Sequence, residues 1–239
     1  MKIMTYNIKN DYKLILSSKD RNKINDITEL INEYNLDIIG LQEISQRTIK
    51  KYQNKLKDYI FIGNHRKSGY LSNEYNIILV KNNIEIKEYS TYSLSNNTSD
   101  LGNKLENHNY PRIATFCHIN YDNNDYLVIN THLDNSKDTL RNEELQILNQ
   151  LIKEELDNEY LIVLGDFNMG DNKYLKAFRK SYDLEDVTEH LGATYSSLNK
   201  SLDHILLSND LYCDYKEKLI TDYSDHYPLI ASFSIKTKK

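Results

Sequence analysis

Apolar positions along this chain follow two rhythms. In "DRNKINDITELINEY" (20–34), Ile24, Ile27, Leu30, Ile31 and Tyr34 recur at the spacing of one helical face. Residues 137–156 do the same through Leu140, Leu145, Leu148, Leu151 and Ile152. Elsewhere the apolar residues form short unbroken runs, as buried strands do: residues 1–8, "LDIIGLQE" (36–43), "YIFIG" (59–63), "YNIILVK" (75–81) and "LIVLGDFN" (161–168). "IEIKEYSTY" (84–92) follows "YNIILVK" across Asn82–Asn83, which reads as a tight hairpin turn. "RIATFCHI" and "YLVINTHL" flank "YDNND" as a second hairpin. Further helices are expected near 45–57 and 171–181, and strands near 202–207, 216–221 and 228–235. The opening strand–helix–strand implies a parallel pair joined by a right-handed crossover. Hairpins mixed with crossovers predict an α/β fold, a four-layer sandwich of two packed mixed β-sheets flanked by helices, with residues 1–239 forming one domain.

Composition narrows the function classes. A chain of 239 residues can bury roughly 70–75% of its unfolded surface, so no covalent staple is required. Cys117 and Cys213 lack any metal-ligand or redox spacing and read as free thiols. The net charge is −5 and the lysines are scattered, which argues against a broad basic face for nucleic acid. It leaves room for an enzyme that meets phosphodiesters through a local metal. The start carries no apolar leader, and no run approaches the ~18 residues of a membrane span, so the reading is cytoplasmic with no obligate protein partner. No GxxxxGK occurs, and no GxGxxG follows a strand. Residues 93–110 form a polar connection long enough to suggest function.

Polar residues gather where the expected strands stop. Asn7, Glu43, His132, Asp166 and Asn168 end apolar runs; Asp203 begins one, and Asp225–His226 precede the last. Each alone has a bland explanation. Asp166 and Asn168 suit an Asx turn; Glu43 suits a helix N-terminus; His132 suits a satisfied core position. Together they offer hard oxygen donors and imidazoles without a thiolate, a set that fits Mg²⁺, with Mn²⁺ as substitute. Such an ion polarises a phosphoryl group. A histidine can take a proton from water while a buried carboxylate holds its tautomer. His65, His108, His118, His190 and His204 read as structural.

"TYNI", "LQE", "NTHLD", "GDFN", "LDHI" and "SDHYPL" occur in the order and spacing of the endonuclease/exonuclease/phosphatase superfamily, which this chain resembles over residues 4–229. The resemblance implies a deoxyribonuclease I-like fold and metal-dependent hydrolysis of a phosphoester. It implies Glu43 as principal metal carboxylate, with Asn7 and Asp225 beside the metal or phosphate. It implies His226 as general base oriented by Asp203, and Asp166 with Asn168 aligning water and binding phosphate. His132 would contact the phosphate and assist the leaving group. "NEYNIILV" and "YPRIATF" resemble small bacterial members, which would put Glu74 behind His132 and Arg112 on the phosphate. "RNEELQ" departs from the family's Arg-x-x-Gln by placing Glu144 fourth, so Arg141 receives no role. A phosphodiester of nucleic acid or of a small molecule is the first substrate class. A phospholipid, sphingomyelin or inositol phosphate is the alternative, and an inactive binding module of the same fold is the rival outside the enzymes.

Overall fold

A computed structural model describes residues 1–10, 18–67, 69 and 73–237, the side chains of 18–21 excepted. Strand β1 (Lys2–Asn7) leads through helix α1 (Ser18–Tyr34) to β2 (Ile38–Ser45), then helix α2 (Ile49–Lys55), β3 (Tyr59–Ile62) and β4 (Glu74–Lys81). The chain continues through β5 (Glu85–Ser93), β6 (Ile113–Tyr121), β7 (Asn124–His132), helix α3 (Asp138–Glu155) and β8 (Tyr160–Asp166). Helix α4 (Lys173–Ser181) and strands β9 (Leu184–Asp186), β10 (Asp203–Ser208), β11 (Leu211–Lys218) and β12 (Leu229–Ile235) complete it. Two six-stranded mixed sheets result, in the orders β11-β12-β1-β2-β4-β3 and β5-β6-β7-β8-β10-β9.

The unbroken apolar runs arise because both faces of the central strands are covered. Along β8, Leu161 and Val163 pack toward α3 and α4, whereas Ile162 and Leu164 join the core between the sheets. In β1 and β2, Ile3 and Ile38 enter that same central core, while Met4 and Ile39 face α1 and α2. Three apolar layers thus separate four layers of structure, the sandwich expected from the sequence. On α1, Ile24, Ile27, Leu30 and Ile31 are buried, as their spacing requires. No helix among the described residues is long and apolar enough to cross a membrane. Cys117 and Cys213 are free.

The structure corrects the sequence reading in three places. β4 and β5 are not a hairpin: they belong to different sheets, and Asn82–Asn83 carries the chain from one to the other. The turn closes by Ile84 N–H donating to the Lys81 carbonyl at 2.9 Å, and Ile84 then sinks into the central core. A two-residue polar turn reverses the chain equally well in a hairpin and in a sheet change. β11 begins at Leu211, earlier than expected, as an edge strand with a bulge between Cys213 and Tyr215. The short β9 carries too few residues to show a period. Asp122 and Asn123, by contrast, do form a true hairpin turn between β6 and β7, both with positive φ.

A buried polar bridge sets how the two sheets meet. Gln42 of β2 donates to Asn130 Oδ1 of β7 at 2.7 Å, and Asn130 Nδ2 donates back to the carbonyls of Leu41 (3.1 Å) and Ile77 (2.7 Å). Gly40 permits the close approach, since a Cβ there would lie 1.9 Å from Leu164. Gly165 is needed twice over, with φ of 146° and a Cβ position 2.0 Å from the Thr131 carbonyl oxygen. Gly165→Ala is therefore expected to cost at least about 2 kcal/mol, read as a lower urea midpoint. An unchanged midpoint would contradict this packing.

Candidate active site

Strand register lines up the first part of the site. Asp166 ends β8; it pairs across with His132 at the end of β7 on one side and with Asp203 at the start of β10 on the other. Three adjacent strands of the second sheet thus present an imidazole and two carboxylates along one row. The first sheet supplies Asn7 from the end of β1 and Glu43 from β2. A register shift between Leu41 and Ile44 interrupts the β2–β4 pairing around Glu43, whose φ is +65°. Such a bulge re-aims a side chain at the cost of backbone strain. Asn168 is likewise left-handed, with φ of 52°.

His226, in the segment before β12, closes the row. Its Nδ1 lies 2.8 Å from Asp203 Oδ2, and its Nε2 lies 3.7 Å from Asp166 Oδ2. The Tyr195 ring covers the imidazole at 4.9 Å between centroids. His132 Nε2 is 3.6 Å from the same Asp166 oxygen and 4.0 Å from Glu43 Oε1. Asn7 Nδ2 donates to both Glu43 Oε1 and Asp166 Oδ2 at 3.0 Å, stitching the sheets together at the rim. Asp166 Oδ1 accepts the backbone N–H of Asn168 at 2.8 Å, and Asn168 Nδ2 donates to the Leu133 carbonyl. A cleft of about 670 Å³ opens above them, lined also by Arg66, Tyr110, Arg112, Tyr195 and Lys200.

Two expected placements turn out differently. Asn7, expected as a metal ligand, turns its Oδ1 to the N–H of Lys9 at 2.8 Å and presents nitrogen to the carboxylates. It orients Glu43 and Asp166. Glu74, expected behind His132, is instead paired with Arg66 Nη2 at 2.5 Å and bonded to Asn10 Nδ2. A buried carboxylate goes to the nearest buried cation, and here that is Arg66. Asp225 lines the cleft as expected, and the exposed Lys9 Nζ pairs with its Oδ2 at 2.7 Å. Arg112 lies where expected, 4% exposed on the cleft wall, and its side chain makes no hydrogen bond or ion pair among the described residues.

Arg66, Lys9 and Tyr195 are site residues that the sequence did not reveal. Arg66 sits in a loop without period, its guanidinium 4.9 Å from the Tyr110 ring centroid. His204, following Asp203, points away and is satisfied in the core by Asp186 (2.6 Å) and the Met169 carbonyl (2.8 Å).

Crowded carboxylates dominate the electrostatics. Burial and the Asp203 charge push the Asp166 carboxyl up to about 7, against the pull of His226 and Asn7. Burial alone would lower His226, but Asp203, Asp166 and Asp225 outweigh it and raise the imidazole to about 10. Burial, then Arg112, Arg66 and His226, lower His132 well below the usual range, so it is neutral. The rim is short of positive charge beside Glu43 and Asp166. Such a deficit, within a hard-oxygen donor set, fits a divalent cation.

The chain belongs to the Endonuclease/Exonuclease/phosphatase family, whose model matches residues 4–226. Members of that family hydrolyse phosphoester bonds with a divalent metal. Over 98% of its length the chain is similar, at 24% identity, to the whole of an uncharacterised protein of Acanthamoeba polyphaga mimivirus. Its fold matches that of an endonuclease/exonuclease/phosphatase from Bacteroides vulgatus with a TM-score of 0.88, at 21% identity over 98% of each chain. A mannosyl-6-phosphatase of Bacteroides thetaiotaomicron superposes with a TM-score of 0.83, at 20% identity over 98% of this chain and 100% of the other. Identities this low speak for the fold alone.

In metal-free buffer, Asp203→Asn removes the main partner that raises the His226 imidazole. Its NMR titration midpoint is expected to fall from about 10 toward the ordinary 6.5. A midpoint that stays near 10 would show that Asp203 is not the dominant partner.

Proposed function

We propose that this protein is a divalent-metal-dependent phosphoesterase, with a phosphodiester of nucleic acid or of a small molecule as its substrate. The carrying observation is the single line of contacts Asp203–His226–Asp166 at the floor of an open cleft, with Glu43 facing it from the other sheet. Glu43 and Asp225 would hold Mg²⁺, with Asn7 orienting the Glu43 carboxylate. When bound, the ion polarises a phosphoryl oxygen and offsets charge on the departing oxygen.

The chain's own groups do the rest. His226 Nε2 accepts the proton of the attacking water, and Asp203 at Nδ1 fixes the tautomer that makes this possible. The carboxylates that raise His226 oppose its neutral form, and positive charge at the cleft floor restores it. Asp166 aligns the water. His132, Asn168 and the open fork of Arg112 take up the charge that builds on the phosphoryl oxygens. No covalent intermediate is needed, because positioning and charge suffice.

Bis-p-nitrophenyl phosphate with Mg²⁺ or Mn²⁺ tests the reading. Turnover is expected to disappear in EDTA and to fall by about 10²–10⁴-fold in His226→Ala and Asp166→Ala. Undiminished turnover in EDTA, or in His226→Ala, would refute it. On a panel, short single-stranded DNA or RNA is expected to be hydrolysed faster than sphingomyelin; the reverse order would favour the lipid class.

A further inference from the structure

The floor of the cleft accounts for a metal and a phosphate, but it leaves two side chains without a purpose. Tyr110 and Leu198 line the cleft with 44% and 62% of their surface exposed, although both are large and mostly apolar. Their places in the fold set them on either side of the reaction centre. Tyr110 closes the long polar connection that leads into β6, and Arg112 follows two residues later. Leu198 belongs to the connection from β9 to β10. In the sheet, β6 and β7 lie to one side of β8, and β10 and β9 lie to the other. Asp166, at the end of β8, therefore falls between the two.

Both shoulders are held rather than loose. The Arg66 guanidinium lies over the Tyr110 ring, 4.9 Å from its centroid, and Arg66 is itself fixed by Glu74 at 2.5 Å. A cation over one face steadies the ring and leaves its stacking to the other face. On the far side, the Ser196 N–H donates to the Asp225 carbonyl at 2.9 Å, and the Tyr227 N–H donates to the Thr194 carbonyl at 2.8 Å. Leu198 thus rises from a turn pinned to the segment that carries His226.

A phosphomonoester has one organic substituent, whereas a diester has two. Two apolar shoulders flanking one phosphate floor match a diester that bears a flat, partly apolar group on each side. The net charge of −5 and the scattered lysines deny this chain the long-range attraction that holds a phosphate backbone. Its affinity must come from local contacts, and stacking on an aromatic ring is the local contact that unpaired bases offer. In a duplex those faces are already covered. We propose that Tyr110, backed by Arg66, is a stacking platform for the base on one side of the scissile phosphate. Leu198 contacts the base on the other side, and the substrate is single-stranded nucleic acid. The inference rests on the cleft being a phosphodiester site.

Fluorescence anisotropy with the Mg²⁺-loaded protein tests it, using a phosphorothioate thymidine octamer that resists cleavage and an abasic strand of the same backbone. The wild-type chain is expected to bind the base-bearing strand at least about tenfold more tightly than the abasic strand, and more tightly than the matching duplex. Tyr110→Ala is expected to weaken the base-bearing strand about tenfold, while the abasic strand and inorganic phosphate change less than about twofold. Tyr110→Phe, which keeps the ring, is expected to bind like the wild type. Tyr110→Leu, which keeps bulk without the ring, is expected to lose most of the preference, and it serves if the alanine variant fails to fold. Leu198→Ser is expected to cost about fivefold on the base-bearing strand alone. Equal binding of the two strands by the wild type, a Tyr110→Ala loss as large on the abasic strand, or tighter binding of the duplex would overturn the platform. Because binding is read without turnover, base-dependent binding in a chain that hydrolyses nothing contradicts the phosphoesterase reading alone. Hydrolysis of bis-p-nitrophenyl phosphate without base-dependent binding contradicts the platform alone.

Discussion

The site exists only because the two sheets are held in one relative position. Gln42 donates to Asn130 across the central core, Asn130 donates back to the Leu41 and Ile77 carbonyls, and Gly40 lets the sheets approach beside them. Both amides are fully buried, so losing either partner would strand polar groups in an apolar layer. The bond therefore has one acceptable register. From it the rim follows: β1 and β2 deliver Asn7 and Glu43, and β7, β8 and β10 deliver His132, Asp166 and Asp203. Asn7, bonded to both Glu43 and Asp166, repeats beneath the cleft what Gln42 and Asn130 do in the central core.

Placing so many carboxylates together costs stability, and the structure shows where the strain is held. Asp166 and Asp203 face each other across a strand pair; Asn7 and the Asn168 N–H donate to Asp166, and His226 lies against both carboxylates. The Asp203 Oδ1 atom is buried without a hydrogen-bond partner among the described residues. Asn168 tolerates its left-handed backbone, but Glu43 occupies a conformation that a glutamate rarely adopts. Strain at such a position fits a site kept for chemistry at the expense of the fold. Opposite stand Arg66, paired with Glu74, and Arg112, whose side chain makes no hydrogen bond or ion pair among the described residues. The cleft thus has an acidic floor suited to a cation and a basic wall suited to an anion. A metal-bound phosphoester carries both.

Much of this was legible in the sequence, for reasons that can be named. Strands covered on both faces give unbroken apolar runs, so β1, β2, β4 and β8 stood out, and the helical faces of α1 and α3 could be counted. Polar groups ending such runs fall on one rim whenever the sheets stack, which is why Glu43, His132, Asp166, Asp203 and His226 could be grouped before any coordinates. What stayed hidden depends on tertiary pairing. Asn82–Asn83 looks the same whether it closes a hairpin or changes sheets. Glu74 could not be assigned to Arg66 until the loop carrying Arg66 was placed. The amide of Asn7 could be given a neighbourhood but not an orientation. Glu144 stood out only as a departure at one position, and its partner His108 lies 36 residues away.

The central claim is that the acidic rim joining the two sheets holds a divalent cation at Glu43. Anomalous scattering from crystals soaked in Mn²⁺ and phosphate tests it without reference to any substrate. A single manganese peak within bonding distance of the Glu43 carboxylate, absent in Glu43→Gln, is the predicted result. No peak in the cleft, or one that persists in Glu43→Gln, would contradict the account.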